Sequence, residues 1–239
     1  CIFKVAKDGS KLELVARGRL TISDAERVDG EATLRSSTGG TGNAGSITLQ
    51  GTDVRIENQA LVEARTIGAG AGGEVRVTAD RIVLADGARI VNSSGTVAAG
   101  AIVAGTGAAG DTVLTASESV TMVGRTALGA SGLVSQTLGA GRAGRILIRA
   151  KTLALDDHAT ISVATAGAGD AGIAVLTVTD LSLAGGATIN STNAVPIRGT
   201  VVTGSGNGGD LRIDASGTVS VSGTDTGLAT ATASTGRGG

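Results

Sequence analysis

The chain has no tryptophan, no tyrosine and a single phenylalanine, Phe3. A compact core in a chain of 239 residues ordinarily draws on aromatic rings, each of which buries a large apolar area. Proline is confined to Pro196, and methionine, histidine and cysteine occur once each. The lone Cys1 excludes an internal disulfide and a thiolate metal cage. It reads as an ordinary residue at a truncation point, the alternative being a lipid-acceptor cysteine. No apolar run approaches the roughly 18 residues of a membrane-spanning helix. Twenty basic and 21 acidic residues are mixed along the chain for a net charge of −1. That leaves no basic stripe for a phosphate backbone and no rings to stack on bases, which argues against nucleic acid as a partner.

What the chain does have is glycine, at 40 residues, and aliphatic side chains. Hydrophobic residues make up 41% and charged residues 17%, so this is not a disordered polar chain. The glycines lack the every-third-residue period of collagen. A narrow core of Val, Ile, Leu and Ala with many tight turns suggests a repeat.

Gly-x-x-Gly segments recur as GNAG at 42–45, GAGG at 70–73, GAAG at 107–110, GRAG at 141–144, GDAG at 169–172, GNGG at 206–209 and GRGG at 236–239. Their last glycines serve as anchors: Gly45, Gly73, Gly110, Gly144, Gly172, Gly209 and Gly239, spaced 28, 37, 34, 28, 37 and 30 residues apart. Ser10 anchors one more repeat before them, with residues 1–9 the end of a preceding coil or a truncated N-terminus. The array is expected to continue past residue 239.

Apolar residues keep fixed offsets from each anchor. Ile47/Leu49, Val75/Val77, Ile146/Ile148 and Leu211/Ile213 stand two and four positions on. A small residue follows at position six, as in Gly51, Ala79, Ala116 and Ala150. Val54/Ile56, Ile82/Leu84 and Leu153/Leu155 come next, with a one-residue insertion before Val120/Met122 and Val219/Val221. A third set is Ala60/Val62, Ala88/Ile90, Ala159/Ile161 and Ala187/Ile189. Alternation over short stretches predicts half-buried strands, three per repeat. The expected fold is all-β: one domain over residues 10–239, a right-handed parallel β-helix of about seven coils and roughly 35 Å, from a strand spacing of about 4.8 Å. Its interior is too narrow for rings, which accounts for their absence.

The segments GNAGSITLQGTDVRIENQALVEART and GRAGRILIRAKTLALDDHATISVAT resemble the passenger repeats of filamentous-haemagglutinin-like exoproteins. The resemblance covers residues 10–239. It implies a β-helix adhesin, an outer-membrane export partner by two-partner secretion, and a secreted or cell-surface location. The repeats are longer than is usual in that family, and with Pro196 as the only proline the Asn-Pro motifs of its secretion domain are not seen here.

Chemistry-bearing clusters are few. Asp156 and Asp157 precede His158, but the equivalents in other repeats, Glu57-Asn58-Gln59 and Ala85-Asp86-Gly87, read as turns, where Asp and Asn bond their own backbone. GDAG at 169–172 and GNGGD at 206–210 suggest a calcium roll, yet Asp111 and Asp210 share their offset with Ser46, Glu74, Arg145 and Ile173. No threonine row suits ice binding. No catalytic residue, cofactor or metal is therefore assigned.

One outward row is apolar: Val113, Leu147 and Val175, expected to be a packing or interface stripe. Each 37-residue repeat has nine extra residues, near 97–105 and 193–202, expected to fold over that stripe, unless another chain packs there. The functional expectation is a non-enzymatic structural or adhesive segment of a large secreted bacterial protein, self-associating end to end or laterally. The alternatives are a carbohydrate-active β-helix with its site elsewhere and a component of an S-layer-like lattice.

Overall fold

The computed structural model describes residues 11–24, 33–98, 101–197, 200–233 and 237. Expectations resting on Cys1 or on the Ser10 and Gly239 anchors lie outside them. Among the described residues every regular element is a β-strand, so there is no helix long and apolar enough to cross a membrane.

Two sheets of parallel strands carry the structure. The main path of the ten-stranded sheet runs from Leu12–Val15 through Ile47–Gln50, Val75–Ala85, Thr112–Val123, Ile146–Asp156 and Ile173–Leu183 to Asp210–Ala215. The seven-stranded sheet is ordered Leu34–Thr38, Leu61–Thr66, Arg89–Ser94, Gly132–Thr137, Thr160–Thr165, Thr188–Thr192 and Gly227–Ala231. The chain alternates between them, and each strand pairs with its counterpart one repeat away. This stacked parallel order is consistent with a β-solenoid.

Pairing follows the glycine anchors. Ile47 lies opposite Val75, which lies opposite Thr112, and the row continues through Ile146 and Ala174 to Leu211. Every one of these residues stands two positions after its anchor, so the unequal repeat lengths leave the register intact. The expected one-residue insertions are present. Ala116 faces Ala79 while Ser119 faces Arg81, and Ala215 faces Val178 while Val219 faces Leu181.

Between the sheets lies a single aliphatic core. Leu49, Val54, Ile56, Val77, Ile82, Leu84, Ile90, Leu133 and Ile161 are fully buried. Each such side chain contributes about 1.5–3 kcal/mol by leaving water. In Val75–Ala85 the alternation slips between Ala79 and Ile82, and the small residue sits inside this change of face. Thr112 breaks the aliphatic row but is satisfied there, because Asn92 from the opposite sheet donates to its hydroxyl at 2.8 Å.

The glycine-rich segments stack as bare backbone. A Cβ on Gly70 would run into the Gly42 carbonyl, one on Gly107 into that of Gly70, and Gly141, Gly169 and Gly206 continue the column. The anchors from Gly73 to Gly209 form a second column under the same restriction. A buried hydroxyl row closes each loop onto its strand. Thr38 donates to the Gly42 carbonyl at 2.7 Å, Thr66 to Gly70 and Thr165 to Gly169 at 2.6 Å, Ser94 to Gly107 at 2.5 Å, and Thr137 to Gly141.

Candidate functional site

Three departures from the 28-residue repeat become antiparallel hairpins beside the smaller sheet. Thr96–Ala98 pairs with Ala101–Val103 after the strand Arg89–Ser94. Ala194–Ile197 pairs with Thr200–Thr203 after Thr188–Thr192. A shorter pair, Arg125–Thr126 with Gly129–Ala130, precedes Gly132–Thr137. The ladder beneath is unbroken, with Ser94, Thr137 and Thr165 still opposite one another.

These hairpins wall a cleft of about 890 Å³ on the outer face of the smaller sheet. Its floor is made of outward residues in consecutive register: Val91, Val134, Ser162 and Asn190, with Gln136 and Thr192 farther along the strands. Ser162 donates to Asn190 Oδ1 at 2.7 Å. Val97 of one hairpin and Val195 of the other pack with Leu138 and Ala164 into one small apolar cluster. Two insertions from different repeats therefore share a footing. Their outer strands leave Ile102, Val103 and Val201 exposed.

Glu63 also lines this cleft and is only 8% exposed. Arg35 Nε donates to it at 2.7 Å and Arg65 Nη1 lies 3.7 Å away, while Arg65 also donates to Thr96 at 3.0 Å. The ion pairs thus tie the sheet to the base of the first hairpin. Among the described residues Glu63 is the one carboxylate lining the cleft, which otherwise presents amides, hydroxyls, Arg89 and aliphatic groups. Such a lining suits contact with a neutral, mixed surface.

The stripe read from the sequence lies on the other sheet from this cleft. Val113, Leu147 and Val175 are adjacent in register on the larger sheet, half-buried, with Arg76 at one end of the row and Arg212 at the other. The two insertions expected to cover it stand over the smaller sheet instead. Largely apolar and without a counterpart in the 28-residue repeats, their sequences do not reveal which face they take.

The remaining candidates are structural. Asp156 accepts from the Asp157 amide at 2.7 Å, and Asp157 and His158 form a two-residue turn with both φ angles positive. Asn58-Gln59, Asp86-Gly87 and Gly185-Gly186 form the equivalent turns. Asp170 accepts from the Asn207 amide and side chain at 2.9 Å. Asp111 binds Arg145 at 2.8 Å, raising the guanidinium above its ordinary range. Arg81 binds Asp53 at 2.7 Å and Glu118 at 2.8 Å, and its hydrogen bond holds the Asp53 carboxyl below the usual carboxylate range. Among the described residues no group of three or more His, Cys, Asp or Glu side chains is placed to hold a metal ion. Comparison with protein-family models, with curated proteins and with solved structures found no match to this chain.

Proposed function

We propose that this chain is a non-enzymatic scaffold, a segment of a long secreted bacterial β-helix of the filamentous-haemagglutinin-like kind, with an adhesive face on its hairpins. In this reading the stack is a right-handed β-helix with one coil per glycine anchor and three short strands in each. Its mechanism is mechanical: aliphatic rows and continuous backbone ladders stiffen a rod that holds the hairpins away from the cell surface. The observation that carries the reading is the convergence of the insertions on one face, over a ladder they do not interrupt. The acidic groups support it too. Asp53, Asp111 and Glu63 are engaged by arginines, and Asp156, Asp170 and Asp180 accept from backbone amides.

Beads coated with the chain, or with a variant lacking residues 96–104 and 195–203, test the face directly on cell monolayers and immobilised polysaccharides. The full chain should adhere and the variant should lose most of that adhesion at an unchanged circular-dichroism spectrum. Equal adhesion by both would remove the hairpins from the contact face. Turnover of any polysaccharide by the purified chain would overturn the non-enzymatic reading.

A further inference from the structure

The hairpins stand at opposite ends of the strands they flank. All strands of the smaller sheet are parallel; the hairpin at 125–130 precedes its strand, while those beginning at Thr96 and Ala194 follow theirs. Leu128 from the first and Val97 and Val195 from the others line one cleft, which is therefore a trough running across the strands, along the stack. Its floor passes from Glu63 through Val91, Val134 and Ser162 to Asn190, one residue from each of five successive strands. Four steps of about 4.8 Å make it about 19 Å long, the reach of about six residues of extended chain.

Several polar groups in and beside the trough have no partner in the fold. Ser162 engages the Asn190 oxygen, and among the described residues nothing accepts from the Asn190 Nδ2 group. The half-buried Gln136 carboxamide makes no side-chain hydrogen bond to them either. Beside it in register, Ser93 is only 2% exposed and its hydroxyl is likewise unbonded. Next to Ser93 on the same row, Arg65 Nε is buried without a partner. Buried polar groups ordinarily find partners within the fold, so this run of unmet ones in one place calls for a ligand that supplies them.

We propose that the trough binds an extended, uncharged peptide segment of a partner protein, its backbone running along the stack. The inference rests on the adhesive-face reading and gives that face its ligand class. Charge sets one limit. Glu63 and Arg89 are the ionic groups of the described lining, one of each sign, and Glu63 is already held by Arg35 at 2.7 Å. A charged ligand would lose its hydration there and gain no counter-ion.

Surface sets the second limit. Val91, Val134, Leu128, Val97 and Val195 offer aliphatic contact on floor and walls. With Phe3 the single aromatic residue of the chain, the described lining has no ring to stack on a sugar. A peptide meets both limits. Its aliphatic side chains take the valines, and each peptide unit brings one N–H and one C=O. A carboxamide donates through nitrogen and accepts through oxygen, so Gln136 can hold both groups of the peptide, and Asn190 Nδ2 can donate to a carbonyl farther along. Val201, 62% exposed at the rim, is covered when a chain lies there.

Isothermal titration of the full chain with Ac-Val-Ser-Val-Ser-Val-Ser-amide reads the binding. Wild type should bind this probe saturably at one site. Gln136→Leu removes the carboxamide at nearly constant volume and should weaken binding about fivefold. Val134→Lys sets a charge on the floor and should abolish binding; if its circular-dichroism spectrum shows misfolding, Gln136→Leu decides alone. The same peptide N-methylated at its serines lacks half its N–H donors and should bind about tenfold more weakly.

Equal affinity for both peptides, or no loss in Gln136→Leu, would reduce the contact to apolar adsorption and overturn the proposal. So would a wild type that takes cellohexaose, a neutral oligosaccharide, and not the peptide. A chain that binds no peptide while its beads still adhere through the hairpins would refute the ligand class and leave the adhesive reading standing. Peptide binding in a chain whose adhesion is indifferent to the hairpins would do the reverse.

Discussion

At the scale of the residue, stacking makes one backbone conformation recur in four repeats, whether or not the local side chain suits it. The second residue of the two-residue turn is Gly87 or Gly186 in two repeats but Gln59 (φ 64°) and His158 (φ 62°) in two others. A side chain in that region costs about 1–3 kcal/mol, against the 0.5–1 kcal/mol of chain entropy that glycine loses on folding. His158→Gly should therefore stabilise the protein by about 1 kcal/mol, read as a higher urea midpoint. Gly70→Ala has the opposite sign, since its methyl meets the Gly42 carbonyl, and should cost about 3 kcal/mol in the same measurement. A neutral alanine there would show that the glycine loops do not stack as described. Acid sensitivity has its own residue. Asp53 is held below its ordinary range chiefly by the Arg81 hydrogen bond, so the contribution of the pair is full above the unfolded value of about 3.9 and is lost as pH falls through the lower folded value. Asp53→Asn should unfold at lower urea than wild type at neutral pH, and the two curves should converge at the acid end. A constant offset between them across the whole range would exclude this pair as the cause.

At the scale of the element, the ladders and the hairpins obey different rules. A ladder strand must match its neighbours, whereas a hairpin inserted between strand and loop needs only to leave and return at the same place. Gly105 stacks under Gly139, which stacks under Gly167, so removing residues 96–104 rejoins Gly95 to Gly105 in the path of a 28-residue repeat. That deletion should change stability by no more than about 1 kcal/mol, as expected for a surface insertion. A large loss in the urea midpoint would mean that the Val97–Leu138–Val195 cluster holds the sheet together instead of resting on it. The same division explains what the sequence could reveal. Rows such as Ile47–Val75 and Val54–Ile82 were legible because stacking demands like residues at like offsets. The hydroxyl row of Thr66, Ser94 and Thr165 escaped notice because a polar residue at an inward position reads as an outward one until its loop carbonyl is seen. The 125–130 hairpin was hidden in the 34-residue repeat, where a bulge at residues 116–119 absorbs part of the excess. The cleft was not legible at all. The strands Thr96–Ala98 and Ala101–Val103 pair with each other and not with a strand of a neighbouring repeat, so no periodicity assigns them a face.

At the scale of the whole molecule, stability is a sum over neighbouring layers, and a layer with one neighbour holds less than a layer with two. Local opening should then follow position in the stack rather than residue type. Amides of Val75–Ala85 and Ile146–Asp156, paired on both sides, should exchange slowest, and those of Leu12–Val15 and Val219–Val221 fastest. This gradient also separates a free rod from a joined one. If copies stack head to tail, raising the concentration gives the edge strands a second partner and slows their exchange, while the middle strands, already paired on both sides, stay as they were. Lateral association through Val113, Leu147 and Val175 would give the reverse pattern, because those residues lie in the middle strands of the larger sheet. Hydrogen exchange followed strand by strand at two concentrations therefore decides whether copies meet at their ends or along their sides. Edge amides that exchange equally fast at both concentrations, in a sample that sediments as oligomers, would rule out the ends.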